Sequence, residues 1–234
     1  MLTIGGQPIL WHIMKSYASH GITDFVLCLG YKGWVIKEYF LNYRAMRSDI
    51  TVKTGSEASI TYHHSDEDDW TITLAETGLD TMTGGRLAAV RKYLDDGPFC
   101  LTYGDGVADV DLTALAAHHK KRGKVATLTS VRVVGRFGEL DIEGGLIRQF
   151  QEKPDRDTAR INGGFMMFDG SRIWDFVEDR PDLILERQPL ERLAAAGELS
   201  AFEHDGYWQC MDTMREYEEL NSLWQRGEAR WKNW

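Results

Sequence analysis

The run Phe99-Cys100-Leu101, closed by Tyr103-Gly104-Asp105-Gly106, constrains this chain more than any other stretch. An apolar segment of strand length that ends in a glycine-flanked aspartate reads as a buried strand delivering a carboxylate to the rim of a sheet. Open α/β sheets bind their ligands at that rim, outside the carboxyl ends of the strands. Two later segments suit the same place: Gln151-Glu152-Lys153-Pro154, and Trp208 through Asp212 to Thr213. Asp105, Asp212 and Lys153, each near a strand end, make a constellation for a divalent metal and phosphate. Nucleotides or sugar phosphates are the ligand class it suggests.

The pattern around these segments is α/β. Leu10, Ile13, Met14 and Tyr17 recur at helical spacing; Asp24 to Gly30 reads as a buried strand, and Val35, Ile36, Tyr39 and Phe40 mark a second helix. Such alternation argues for a parallel sheet. Short strands are expected at Ile50–Val52, Ser59–Tyr62 and Trp70–Leu74, and a hairpin at Glu143-Gly144-Gly145. Helices follow from Leu87, from Asp111 to Lys121, near Leu190 to Ala195 and from Met214 to Arg226, with strands at Ala126–Thr129, Ile161–Phe168 and Leu199–Glu203. The expected fold is a Rossmann-like, mostly parallel mixed sheet flanked by helices, with small β insertions. One domain over residues 1–234 is expected, residues 207–234 being its helical tail. His63 and His64 sit next to each other, so on a strand they face opposite sides and chelate poorly together; a solvated loop is the better reading.

Composition narrows the partners. Of 234 residues, 43% are apolar, and the net charge is −9. An acidic chain with no Lys/Arg-rich stripe is a poor partner for nucleic acid or an anionic membrane. Cys28, Cys100 and Cys210 are scattered and odd in number, and the first two sit in apolar runs, so buried free thiols in a reducing compartment are expected. No apolar run reaches the roughly 18 residues of a membrane span, and a cytoplasmic location is expected. Trp224, Trp231 and Trp234 near the chain end could cover the protein's own core or a neighbouring copy in a homo-oligomer.

Each candidate has a plainer alternative. A Gly-Asp-Gly turn is common, and only its place after a buried strand makes Asp105 a metal ligand. Asp212 precedes a helix and could cap it. Lys153 projects from a corner fixed by Pro154 and could pair with a phosphate. Asp109-Val110-Asp111 has the D-x-D form of glycosyltransferase metal sites, although Asp111 stands where a helix cap belongs. Gly84-Gly85-Arg86 before a helix fits an anion-binding loop and a simple glycine turn equally well.

Taken together, the ordered segments Ile4 to His12, Gly30-Tyr31-Lys32-Gly33, Thr83-Gly84-Gly85-Arg86, Tyr103 to Gly106, Gly135 to Gly138, Gln151 to Pro154, Ile161 to Phe165 and Trp208 to Thr213 resemble the sugar-phosphate nucleotidyltransferase family, in its glucose-1-phosphate cytidylyltransferase branch. The resemblance implies that CTP and α-D-glucose 1-phosphate are joined to CDP-glucose with release of pyrophosphate, in bacterial surface-polysaccharide deoxysugar synthesis. It assigns Mg²⁺ to Asp105 and Asp212, and the sugar phosphate to Lys153. Glucose hydroxyls fall to Glu152, Asn162 and the backbone of Gly138, and the cytosine edge to Thr83, Gly85 and Arg86. The family also carries a strand and a glycine-rich G-G-x-G-T-R-L phosphate loop upstream of the stretch that matches Met1. A sheet short of an N-terminal strand and an impaired catalyst are therefore expected of these residues alone. A D-x-D glycosyltransferase and a non-catalytic sugar-phosphate-binding subunit are the rival readings. A Rossmann oxidoreductase is disfavoured, because no G-x-G-x-x-G follows a strand.

Overall fold

The computed structural model describes residues 1–63, 68–132 and 160–234, together with the backbone of 139–143 and 146–151. Strands β1 (Thr3–Ile4) and β2 (Gln7–Pro8) pair across Gly5-Gly6, both at positive φ, and lead into helix α1 (Ile9–Ala18). Next come β3 (Asp24–Leu29), α2 (Gly33–Leu41), α3 (Tyr43–Arg47), β4 (Asp49–Lys53), β5 (Ser59–His63) and β6 (Thr71–Glu76). The middle of the chain supplies α4 (Thr83–Val90), β7 (Pro98–Leu101), β8 (Gly106–Ala108), α5 (Leu112–Arg122) and β9 (Ala126–Arg132). Then follow β10 (Glu139–Glu143), β11 (Leu146–Gln151), β12 (Arg160–Asp169), α6 (Gln188–Ala195), β13 (Leu199–His204), β14 (Trp208–Cys210) and α7 (Met214–Gln225).

The largest sheet has the order β13-β9-β12-β7. β13 runs parallel to β9, while β12 is antiparallel to both β9 and β7, so three strands point one way and β12 points the other. β3 and β6 form a separate parallel pair, and β4–β5 and β10–β11 are antiparallel hairpins. The sheet is mixed, as its sequence pattern suggested.

Successive residues of a strand face opposite sides, and β12 uses both faces for core. Phe165 and Met167 join one apolar cluster with Ile9, Ile13 and Tyr17 of α1, Leu112 and Leu115 of α5, and Leu220 of α7. Met166 and Phe168 join the other with Leu87 of α4, Leu190 and Leu193 of α6, and Ile173. Burial on both faces explains why this strand reads as a continuous apolar run.

Cys28 departs from expectation. Among the described residues the cysteines form no disulfide with one another, but Cys28 is exposed and Cys100 and Cys210 are only half-buried. Among the described residues, β3 and β7 each pair along one edge only, β3 with β6 and β7 with β12. An apolar run with one ladder partner keeps part of its surface open, which is why neither thiol is sealed. Burial still pushes the Cys100 thiol up to about 11.

The tail covers the chain's own core. His12 is fully buried; its Nε2 donates to the Ile4 carbonyl at 2.8 Å and its Nδ1 accepts from the Trp231 indole at 3.4 Å. Trp11, Trp224, Trp231 and Trp234 surround the ring. Burial lowers the pKa of His12, and burial does the same to His119, which pairs with Thr127 at 2.8 Å.

Two outcomes are expected. Both histidines hold protons less tightly folded than unfolded, so the stability of their neutral forms is complete above the ordinary value of 6.5 and drains away below it. The urea midpoint should fall between about pH 7.5 and about pH 5.5; an unchanged midpoint would show that the folded protein accepts these protons. Trp231→Ala removes a side chain with 1% exposure and should cost about 3–5 kcal/mol in the same assay.

Candidate active site

The acidic end of the site is built by backbone pairing. β8 and β14 run antiparallel with Cys210 opposite Gly106, and the Met211 N–H donates to the Asp105 carbonyl at 2.8 Å. Asp105, just before β8, and Asp212, two residues after β14, therefore lie side by side at the same end of one short ladder. Partial burial, and then the charge of Asp212, push the Asp105 carboxyl above the usual carboxylate range. Among the described residues, no lysine or arginine forms an ion pair with either aspartate. Two carboxylates held together with no cationic partner among the described residues suit a hard divalent ion that shares its remaining positions with phosphate and water.

Asp212 is not the helix cap. Thr213 caps α7, its hydroxyl accepting from the Glu216 N–H at 3.3 Å, while Glu216 Oε2 accepts from the Asp212 and Thr213 N–H groups at 2.8 and 2.9 Å. This capping box fixes the Asp212 backbone and leaves its carboxylate to the cleft. Cys210, Asp212 and Glu216 place ligand atoms within 4.8 Å of one another, but the Glu216 carboxylate is already engaged by the cap.

A cleft of about 580 Å³ extends from these aspartates past Tyr103, Ile161, Glu186, Trp208 and Cys210. Its far wall is a hydrogen-bonded chain. Thr83 and Tyr103 donate to the two carboxylate oxygens of Glu186, at 2.6 and 2.5 Å. Asn162 reaches the Tyr103 hydroxyl at 3.3 Å and accepts from the Gly164 N–H at 3.0 Å. Burial, and then the bond and charge of Glu186, raise the Tyr103 pKa, so the phenol stays protonated.

Asn162 owes its place to a break in β12. The register against β9 shifts between Asn162 and Met166, and Gly164 sits at φ +87° where an added Cβ would lie 2.7 Å from the Tyr103 ring. Only glycine fits both demands. The break frees the Gly163 carbonyl to accept from the Trp208 indole at 2.7 Å.

Gly84 and Gly85 serve close packing. A Cβ on Gly84 would lie 2.7 Å from Leu183 Cγ, and one on Gly85 would lie 2.7 Å from the Arg180 carbonyl. The Gly85 N–H already donates to the Leu183 carbonyl at 3.1 Å, and Thr83 Oγ1 accepts from the Leu185 N–H at 2.9 Å. The start of α4 is thus closed by segment 180–186. Arg86 donates to the Leu29 carbonyl at 3.1 Å, Thr77 Oγ1 at 2.6 Å and the Leu79 carbonyl at 3.3 Å, tying α4 to the end of β3.

The D-x-D reading fails. Asp111 caps α5, accepting from the Ala114 N–H at 2.9 Å, and Asp109 accepts from Tyr207, His204 and Arg230 at 2.5, 3.0 and 3.2 Å. His63 bonds Thr51 at 2.8 Å on the hairpin, and His64 lies outside the described residues. Gly138, Glu152 and Lys153 also lie outside them. Sequence reasoning missed Glu186; a lone acid after Leu183-Ile184-Leu185 was its only signal.

The nucleotidyl transferase family model matches residues 1–225. A glucose-1-phosphate cytidylyltransferase of Salmonella typhi is 52% identical over 100% of this chain and 90% of its own length. Two solved structures share the fold: HddC from Yersinia pseudotuberculosis, at TM-score 0.65 and 19% identity over 96% of this chain and 88% of its own, and a UDP-glucose pyrophosphorylase complexed with UDP-glucose, at TM-score 0.65 and 13% identity over 97% and 90%.

A carboxyl with a raised folded pKa binds its proton more tightly folded than unfolded. Its ionised form therefore opposes folding once pH exceeds that value. Asp105→Asn should raise the thermal midpoint of the metal-free protein near neutral pH; a lowered midpoint would mean that Asp105 holds the fold together rather than straining it.

Proposed function

The chain belongs to the nucleotidyl transferase family, among the glucose-1-phosphate cytidylyltransferases, and we propose that it joins CTP to α-D-glucose 1-phosphate, forming CDP-glucose and pyrophosphate. The observation that carries this reading is the facing pair Asp105 and Asp212, without a cationic partner among the described residues, in a cleft also lined by Tyr103, Glu186 and Trp208. A Mg²⁺ ion bound by these carboxylates would neutralise charge on the nucleotide phosphates. Asp105 and Asp212 would hold that ion in place and so position the triphosphate through it, and the sugar phosphate approaches from the wall opposite. One of its phosphate oxygens bonds to the α-phosphorus while the bond from that phosphorus to the β-bridging oxygen breaks. The attacking oxygen is already anionic, so no residue has to remove a proton, and positioning with charge neutralisation supplies the catalysis.

On this reading Lys153 pairs with the sugar phosphate, while Glu152, Asn162 and the Gly138 backbone hold glucose hydroxyls. Thr83 and Gly85, on α4 with Arg86, serve the cytosine edge. Arg86 makes three of the bonds its donors allow, and its remaining hydrogens suit the O2 and N3 acceptors of cytosine. The full reading is of one catalytic domain acting in the cytoplasm, in O-antigen deoxysugar synthesis, as a possible homo-oligomer. Among the described residues no helix is long and apolar enough to cross a membrane.

The test is pyrophosphate release from CTP and glucose 1-phosphate with Mg²⁺, and chromatography of the sugar nucleotide formed. Turnover with CTP exceeding that with UTP supports the assignment; binding of glucose 1-phosphate without turnover would leave a binding subunit. Asp105→Ala and Lys153→Ala should each lower kcat about 10²–10³-fold. A variant with near wild-type turnover removes that residue from the site.

A further inference from the structure

We propose that Glu186 is a positioning residue: its carboxylate takes the Tyr103 hydroxyl hydrogen, which leaves the Tyr103 oxygen to accept from Asn162, and so anchors the nitrogen end of the Asn162 amide for the sugar phosphate. The sugar-phosphate part of this statement rests on the reading just given; the direction of the chain stands on geometry alone.

A carboxylate accepts and never donates. The hydroxyl hydrogens of Tyr103 and Thr83 must therefore both point at Glu186, along bonds of 2.5 and 2.6 Å. With its one hydrogen committed, the Tyr103 oxygen can only accept from Asn162, so the nitrogen of that amide lies on the Tyr103 side. Its oxygen consequently faces the Gly164 N–H, at 3.0 Å, in the break of β12. At the other end, the Thr83 oxygen accepts the Leu185 N–H at 2.9 Å, which locks the hydroxyl rotor and the backbone next to Glu186. The two hydroxyl hydrogens are assigned by the Glu186 carboxylate, and the Gly164 N–H holds the Asn162 oxygen. The Asn162 amide is left with one hydrogen and one oxygen lone pair for a ligand, in fixed places.

Four segments that are distant in sequence meet here: the start of α4, the turn after β7, the break in β12 and the loop before α6. Glu186 and Tyr103 line the cleft itself. A glutamine at position 186 has nearly the same size but can donate. It would let the Tyr103 hydroxyl turn around, so that Asn162 loses its anchor on that oxygen and is held by the Gly164 N–H alone, with no change in packing volume.

Glu186→Gln should raise KM for glucose 1-phosphate about tenfold, the worth of one well-placed hydrogen bond, with KM for CTP held within about twofold. Tyr103→Phe keeps the ring and breaks the chain, and should show the same selective loss. The double variant should be no worse than the poorer single one, because both break one chain. Losses shared by both substrates, or an unchanged KM for glucose 1-phosphate, overturn the proposal. If Glu186→Gln fails to fold, Tyr103→Phe decides alone. If the wild type forms no CDP-glucose, the functional reading falls, and the side-chain amide resonances of Asn162 in ¹⁵N spectra decide the rest. The proposal requires them to move in Glu186→Gln while those of α6 stay; unmoved resonances overturn it.

Discussion

The ladder between β8 and β14 is the constraint on which the site depends. Each strand has three residues, too few to persist alone, and they reach from residue 106 to residue 210 of the chain. Three supports surround the ladder: the Met211 bond to Asp105, the capping box at the start of α7, and the Trp208 indole on the Gly163 carbonyl. The separation of the two aspartates is therefore fixed by backbone register, and side-chain rotamers only refine it. A carboxylate pair built this way is pre-organised by folding itself, and burial, then the charge of Asp212, raise the Asp105 pKa and oppose that folding at neutral pH.

β12 connects that ladder to the rest of the molecule. Its C-terminal half is an ordinary buried strand with a core on each face. Its N-terminal half breaks register at Asn162-Gly163-Gly164, and the break turns polar groups toward Tyr103 and Trp208. The same strand that anchors both cores thus delivers the polar wall of the cleft, which places stability and binding geometry in one element.

Much of this was legible in the sequence. Strands such as Asp24–Leu29 and Arg160–Asp169 carry apolar runs with turn residues at their ends, and α5 and α7 announce themselves through Asp111 and Thr213. Asp105 and Asp212 could be picked out as strand-end carboxylates, although the partition of roles between Asp212 and the cap at Thr213 needed coordinates. Strands of two or three residues, such as Thr3–Ile4 and Gly106–Ala108, are too short to show any period. The glycine pair misled for a different reason. Its need for small residues comes from segment 180–186, about a hundred positions away, and a contact of that kind leaves no local pattern. Glu186 was hidden likewise, because both its partners are remote in sequence.

Backbone-to-backbone contact at Gly84 and Gly85 has a consequence for how such a cleft changes over evolutionary time. Side chains yield by small steps, one methyl group exchanged for the next, and a pocket lined by them drifts gradually. Here the segment that carries Glu186 meets the α4 main chain at Gly84 through Leu183 and at Gly85 through the backbone of Arg180 and Pro181, with no α4 side chain between. A side chain added at either glycine must shift that whole segment, and with it Glu186, so this joint offers no small step to take.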